Sequence, residues 1–588
     1  MGSRPSAEWW VLALSSILLL AGWLWVGLRT DFLPCTLDCG ETYEAAIGAR
    51  NLSWPTGGLQ DFAAGSTPAA HPALYLHNPN LGMYVLAGLG ALGVRELHSQ
   101  TPWLVLPFLL GMLYLYLAVR ATCQSGLLAA LCLLQASSLY LLVTLWAFDA
   151  LRVWSWLLTF GLIYHLSRGR PWHLLVAGLL LALSFGVDYP FALFLGALAV
   201  ALATFRVAPL RVRSTLALVL LSIGGALALR QLQVAMVVGP AVWWADVTIS
   251  AARRIPLVSL VMPTPEVESW ARASNFVVWP GGGGMPQPLT WAWMIGRSLI
   301  GAAGWPLIPL ALGWIWAVRH RARFADPFAR ILTLSLAVAV SIAVTFMVFG
   351  EYVASFYGLF LMPLTVHWLT LLLGGVTALL LAHWNATVQW GRVAIPVGGL
   401  LLVALIGWRG ATEARNVRLF PPVGYPGREA LADYPGASVA TLWISSAPSV
   451  YTGQWAASLR TMRWLVQGRR GFTFDPAQDY YAFFERDRDN PAYRHPDLLL
   501  IPRLHAWGLG RRCDPLGGAV YGFADGCADL TQVEQAMTAL APVRRGPDYL
   551  LYDLRGLRDG HRLSPVDRTN PQGVSSSHRR TGPDTGGL

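Results

Sequence analysis

The chain has 588 residues, 55% of them hydrophobic and only 13% charged, with a formal net charge of +11. Apolar runs recur almost to the end, which no water-soluble fold requires, so the composition is that of a polytopic membrane protein. The positive charge does not make it a nucleic-acid binder, because the arginines sit in short loops between apolar runs, where they act as topology signals.

The N-terminus carries Arg4 and then an apolar run from Trp9 to Leu28 with no small-residue cleavage site, which predicts an uncleaved first span. A loop over 30–101 follows, holding Asp31, Asp38, Glu41, Glu44, Asp61 and Glu96 against Arg50 and Arg95. Within it, Asn80 to Val94 is apolar but falls short of the roughly 20 residues that cross a bilayer, so a helix along the membrane surface is expected there. Further spans are predicted near 102–119, 125–144, 152–166, 172–187, 190–205, 214–237, 291–318, 329–349, 354–382 and 392–409, making about eleven.

That assignment puts the loop charges in register. Arg4, Arg120, Arg168, Arg170, Arg206, Arg211, Arg213, Arg319, Arg321, Arg323, Arg330 and Arg392 fall on one side, with Asp326 as the only acid in the loops between spans there. The positive-inside rule makes that side the cytoplasm and places the N-terminus there; the Arg-only, Ala- and Gly-rich composition suggests a GC-rich bacterium, hence a cell inner membrane. The opposite side receives the 30–101 loop, the 145–151 turn, Asp188, the 238–290 loop, Glu351 and the C-terminal region.

Beyond Ala411 the apolar runs stop. Short strand-like stretches at Ser438 to Ile444, Leu498 to Ile501 and Tyr549 to Tyr552, mixed with a helical one at Thr531 to Leu540, predict an extracytoplasmic α/β domain over 411–560. The tail over 561–588 is rich in Arg, Ser, Pro, Gly and Asp and cannot bury a core. Cys513 and Cys527 close a Gly-rich loop suited to a disulfide, Cys35 and Cys39 fit either state, and Cys123 and Cys132 read as buried thiols.

Lysine is absent, which excludes Schiff-base and P-loop lysines and leaves guanidinium or backbone groups to recognise phosphate. Asp38-Cys39-Gly40-Glu41 places two carboxylates three residues apart beside a glycine. A carboxylate at a low-dielectric interface beside a like charge can act as a general base toward a hydroxyl; the alternative is a pair of solvated loop acids or helix caps. Asp149 and Arg152 either face a ligand or pair along one helix turn. Arg230, inside an apolar span, either binds an anion or snorkels to the interface. The loop from Gly239 to Pro288 combines Arg253 and Arg254 with Trp243, Trp244, Trp270, Trp279 and a run of four glycines, fitting sugar and phosphate capture or an aromatic belt with a loose connector. Glu351-Tyr352 either orients a head group or ends a helix. Asp487-Arg488-Asp489 and the sequon Asn51-Leu52-Ser53 read as solvated surface, and no nucleotide, zinc or hydrolase fingerprint is present.

The acidic pattern after the first span, followed by His77-Asn78-Pro79-Asn80-Leu81 opening a short apolar helix, resembles the C-type (GT-C) integral membrane glycosyltransferases. The similarity is to the protein O-mannosyltransferase and aminoarabinose-transferase group, glycosyltransferase family 39-like, and it continues through Trp146 to Arg152, Asp188-Tyr189-Pro190 and Phe349-Gly350-Glu351-Tyr352. It covers 1–410. The chain departs from that group in lacking an adjacent Asp-Glu pair and in having His-Asn-Pro-Asn-Leu where His-Pro-Pro-Leu is common. The resemblance implies a mainly α, GT-C-like polytopic bundle that moves a sugar from a polyprenyl-phosphate donor to an acceptor hydroxyl on the extracytoplasmic face. It implies Asp38 or Glu41 as base, and His77, Asn78, Asp149, Arg152, Asp188, Arg230, Arg253, Arg254, Glu351 and Tyr352 as substrate contacts. The acceptor, whether protein, lipid or glycan, stays open, and a divalent metal is compatible with the reaction but nothing in the sequence points to one. A multi-span transporter or lipid flippase is the rival class, although its usual repeated halves and mid-membrane ionisable sites are not evident here.

Overall fold

The computed structural model describes residues 7–30, 81–94, 106–140, 150–241, 326–349, 361–386, 427–437, 439–441, 456–458, 497–502, 541–546 and 549–553, with a few single positions between. The helices are α1 (Ala7–Thr30), α2 (Leu81–Ala91), α3 (Leu106–Cys123), α4 (Gly126–Tyr140), α5 (Ala150–Arg168), α6 (Pro171–Phe185), α7 (Tyr189–Thr204), α8 (Val212–Val219), α9 (Gly225–Val238), α10 (Asp326–Phe349), α11 (Leu361–Ala386) and α12 (Arg428–Ala432). Nine of the expected spans are therefore helical, counting α8 and α9 as one, and the two expected at 291–318 and 392–409 lie outside the described residues.

Sequence chemistry sets many of the starts. Pro107, Pro171, Pro190, Pro327 and Pro363 all fall in first turns, where proline's missing N–H has no intrahelical partner to lose. Inside the bundle, hydroxyls bond to their own helix: Ser15 to the Val11 carbonyl, Ser137 to Leu133 and Thr345 to Ser341, each at 2.8 Å. Without water, that is the nearest way to satisfy them.

One span differs from the sequence expectation. The helix expected over 214–237 contains a π-turn, Leu220–Gly224, joining α8 to α9. The adjacent Gly224 and Gly225 carry no Cβ to resist the wider turn, and the space beside each is open.

The core is aromatic and tightly interleaved. Trp156, Phe160, Phe108, Phe191, Phe194 and Phe346 are fully buried, and Phe108 meets Trp156 edge to face with centroids 6.2 Å apart. Helices α3 and α5 run parallel, since Gly111 lies against Trp156 and the Tyr114 hydroxyl sits 3.1 Å from His165 Nε2. Helix α7 needs no lipid contact of its own, because most of its side chains are buried by its neighbours. Conversely, Trp9, Ile17, Leu175, Leu221, Leu229 and Leu232 stand exposed, as side chains facing hydrocarbon should. Among the described residues, three helical stretches, Leu106–Cys123, Val212–Val237 and Pro327–Phe349, are long and apolar enough to cross a membrane on length and composition alone.

The described helices alternate in direction, so the bundle has two chemically different ends. The beginnings of α1, α4, α6, α8 and α10 share one end with the ends of α3, α5 and α7. Contacts fix this end: Tyr116 donates to the Glu8 carboxylate, Arg120 Nη1 donates to the Tyr116 hydroxyl at 2.9 Å, and Arg330 Nη1 donates to the Thr122 carbonyl at 3.4 Å. Arg120, Arg168, Arg170, Arg206, Arg211, Arg213 and Arg330 all lie at that end. The α6–α7 turn and the end of α9 lie at the other end.

The C-terminal strands β1 (Val439–Thr441), β2 (Ala456–Ser458), β3 (Leu498–Pro502), β4 (Arg544–Arg545) and β5 (Tyr549–Asp553) form a mixed sheet in the order β2-β1-β3-β5-β4. β1 pairs in parallel with β2 and β3, whereas β5 is antiparallel to β3 and β4. Leu498, Leu499 and Leu500 are consecutive and all buried, so the middle of the sheet is covered on both faces. The three strand predictions fall on β1, β3 and β5; the helical stretch at Thr531 to Leu540 lies outside the described residues.

Candidate functional site

Three elements meet at the end of the bundle opposite the arginines. The Leu81 N–H donates to the Gly186 carbonyl at 2.9 Å, pinning the start of α2 on the α6–α7 turn. Two residues on, Asp188 caps α7: its backbone is extended and its Oδ1 accepts the Tyr189 N–H at 2.6 Å. The Asp188 side chain is buried, and the proline that follows Tyr189 fits the first helical turn. Helix α9 supplies the third wall.

Arg230 is the informative residue on α9. Leu229, Leu232 and Met236 point outward with 71%, 57% and 59% exposure, whereas Arg230 is 6% exposed and Val234, one turn on, is 2% exposed. The guanidinium thus faces the bundle rather than the surface. Its Nη1 donates to Gln233 Oε1 at 3.1 Å, and the hydroxyls of Tyr84 on α2 and Tyr189 on α7 lie within its electrostatic reach. Tyr84 is 42% exposed, so the cluster opens outward. Farther along, Trp243 Nε1 donates to Gln231 Oε1 at 2.7 Å and the Trp243 ring lies beside Trp244, with centroids 5.8 Å apart. A buried cation flanked by phenols and an amide is suited to an anionic oxygen ligand.

Of the expected site residues, Asp188 and Arg230 belong to this cluster. Arg152 lies in the first turn of α5, and its side chain is not among those described. Asp38, Glu41, His77, Asn78, Asp149, Arg253, Arg254, Glu351 and Tyr352 lie outside the described residues. Sequence reasoning missed Tyr84 and Gln233; the signal for Gln233 was its i+3 spacing from Arg230 on an otherwise apolar helix, while Tyr84 carried none. Among the described residues, no three or more His, Cys, Asp or Glu side chains converge as metal ligands would. Cys123 and Cys132 are buried free thiols, as expected.

The cap makes one outcome definite. Asp188→Ala is expected to destabilise the start of α7 by about 1 kcal/mol, whereas Asp188→Asn should retain most of the capping. Thermal unfolding of the two purified variants in the same detergent checks this ordering.

No protein-family model matches the sequence, and no curated protein matches it. Solved structures do. The oligosaccharyltransferase of Archaeoglobus fulgidus in its apo form is similar over 84% of this chain and 69% of its own, with 12% identity and a TM-score of 0.51. The same protein in complex with zinc and sulfate has a TM-score of 0.47 at 12% identity, over 82% of this chain and 68% of that one. ArnT from Cupriavidus metallidurans, in the apo state, has a TM-score of 0.41 at 13% identity, over 93% of this chain and 98% of that one. At these identities the likeness concerns fold, and the first structure carries it. The chain has a GT-C-like fold.

Proposed function

We propose that the protein is a membrane glycosyltransferase that moves a sugar from a polyprenyl-phosphate donor to an acceptor hydroxyl on the extracytoplasmic face. The observation that carries this reading is Arg230, buried and turned inward within electrostatic reach of Tyr84 and Tyr189 at the end away from the arginine loops. By the positive-inside rule that end faces away from the cytoplasm of an inner membrane.

The chemistry divides simply. Asp38 or Glu41 takes the proton of the acceptor hydroxyl, whose oxygen forms a bond to the anomeric carbon as the bond from that carbon to the phosphate oxygen breaks. The departing polyprenyl phosphate gains negative charge, which Arg230 offsets, so no strong general acid is needed. His77 and Asn78, four and three residues before Leu81, join the same cluster in this reading, as do Arg152, Asp149, Arg253, Arg254, Glu351 and Tyr352 around the sugar and head group. The outward leucines of α9 offer the isoprenoid tail an apolar wall. The strands over 439–553 form the extracytoplasmic α/β domain in this scheme and help select the acceptor.

Purified protein supplied with a labelled polyprenyl-phosphate sugar and membrane extract as acceptor source should release polyprenyl phosphate and transfer the label. Intact donor that only changes leaflet in proteoliposomes is the result a flippase gives, and it would displace this reading.

A further inference from the structure

At the opposite end, the α5–α6 turn and the α7–α8 turn are packed on each other. Gly169, with φ of 62°, lies so close to Pro209 that any side chain on it would collide with the proline ring. The second turn is held from beneath, with Ala208 5% exposed and Phe205, Val207 and Leu210 packed on the core. The two turns are thus one fixed platform and not two independent loops.

That platform carries Arg168, Arg170, Arg206, Arg211 and Arg213, all exposed, and the stretches 167–172 and 204–214 contain no acid. Among the described residues, none of these five guanidiniums has an ion-pair partner; Arg168 lies over the Tyr164 ring, 5.2 Å from its centroid. Trp172, 59% exposed, Leu175, 67%, and Leu216, 42%, rim the platform on the lipid side. Five cations held together with no carboxylate paired to them among the described residues repel one another, and a topology signal needs only their sequence position, not their convergence.

We infer that this platform binds the phosphodiester head groups of anionic phospholipids in the leaflet it faces. Fixed guanidiniums meet the phosphate oxygens, and the tryptophan and leucines lie against the upper acyl chains. The helix starts at Pro171 and Val212 add N–H groups with no side-chain cap, directed at the same surface. This site is separate from the Arg230 cluster and does not depend on the transferase proposal.

Arg206 supplies a discriminating variant. Its φ of 57° is a left-handed conformation that glycine adopts without steric cost, so Arg206→Gly should fold with an unchanged or higher melting temperature. The test is native mass spectrometry of the full chain with equal phosphatidylglycerol and phosphatidylcholine, with and without excess inorganic phosphate. Wild type should retain phosphatidylglycerol preferentially, Arg206→Gly should weaken that retention about fivefold, and Arg168→Gln with Arg170→Gln about 25-fold. Equal retention of the two lipids, retention unchanged in Arg206→Gly, or full displacement by inorganic phosphate each overturns the assignment, the last by making the platform a free-anion site.

Discussion

Arg230→Leu is expected to lower kcat/KM for a polyprenyl-phosphate sugar by roughly 100-fold, about 3 kcal/mol, the order found when one partner of a buried charge pair is truncated. Thermal unfolding of the same variant separates two roles: a fall in kcat/KM larger than any loss of folded protein explains marks a ligand-binding cation, whereas a structural arginine loses activity only in step with folding, through its bond to Gln233. Arg230→Lys should fall between, because an ammonium keeps the charge but loses the planar fork that matches phosphate. Steady-state kinetics and thermal unfolding on the same preparations decide the point.

Gly111→Val should be the most damaging single substitution in the helical core. A Cβ at Gly111 would lie 2.5 Å from the Trp156 Cβ, 2.6 Å from the Leu157 nitrogen and 2.8 Å from the Trp156 carbonyl carbon. These are backbone and near-backbone atoms, so no rotamer change relieves the clash, and α3 must move off α5 in the most extensive helix pair described. Alanine is expected to cost about 1–3 kcal/mol and valine more. Gly224→Ala is the control, since the space there is open and alanine favours the helical state by up to about 1 kcal/mol. Unfolding midpoints of the three variants in one detergent should order as Gly224→Ala, Gly111→Ala, Gly111→Val, from highest to lowest.

The parts of this fold that were legible in the sequence are those set by solvent. Apolar run length and loop arginines place α3 through α7, and the short run after Asn80 reads as a helix too brief to span. The span predicted near 190–205 is α7, and Asp188, just before it, is its cap. What stayed hidden depends on partners distant in the chain. Nothing local says that Gly111 meets Trp156, that Gly169 meets Pro209, or that Leu220–Gly224 widens into a π-turn. Arg230 shows the division most clearly: its cost in an apolar span was evident, but whether it faced lipid or protein depended on α2 and α7. Asp38 and Glu41 lie outside the described residues, so their part rests on the reaction's need for a base.

The most direct measurement is the rate of labelled polyprenyl-phosphate sugar consumption by wild type, Asp38→Asn, Glu41→Gln and Arg230→Leu, alongside donor binding for each. At least one carboxylate variant should lose about 10²–10⁴-fold in kcat while still binding donor, and Arg230→Leu should lose donor affinity. Donor consumption at the wild-type rate in both carboxylate variants, or none by the wild type with any acceptor source, contradicts the account.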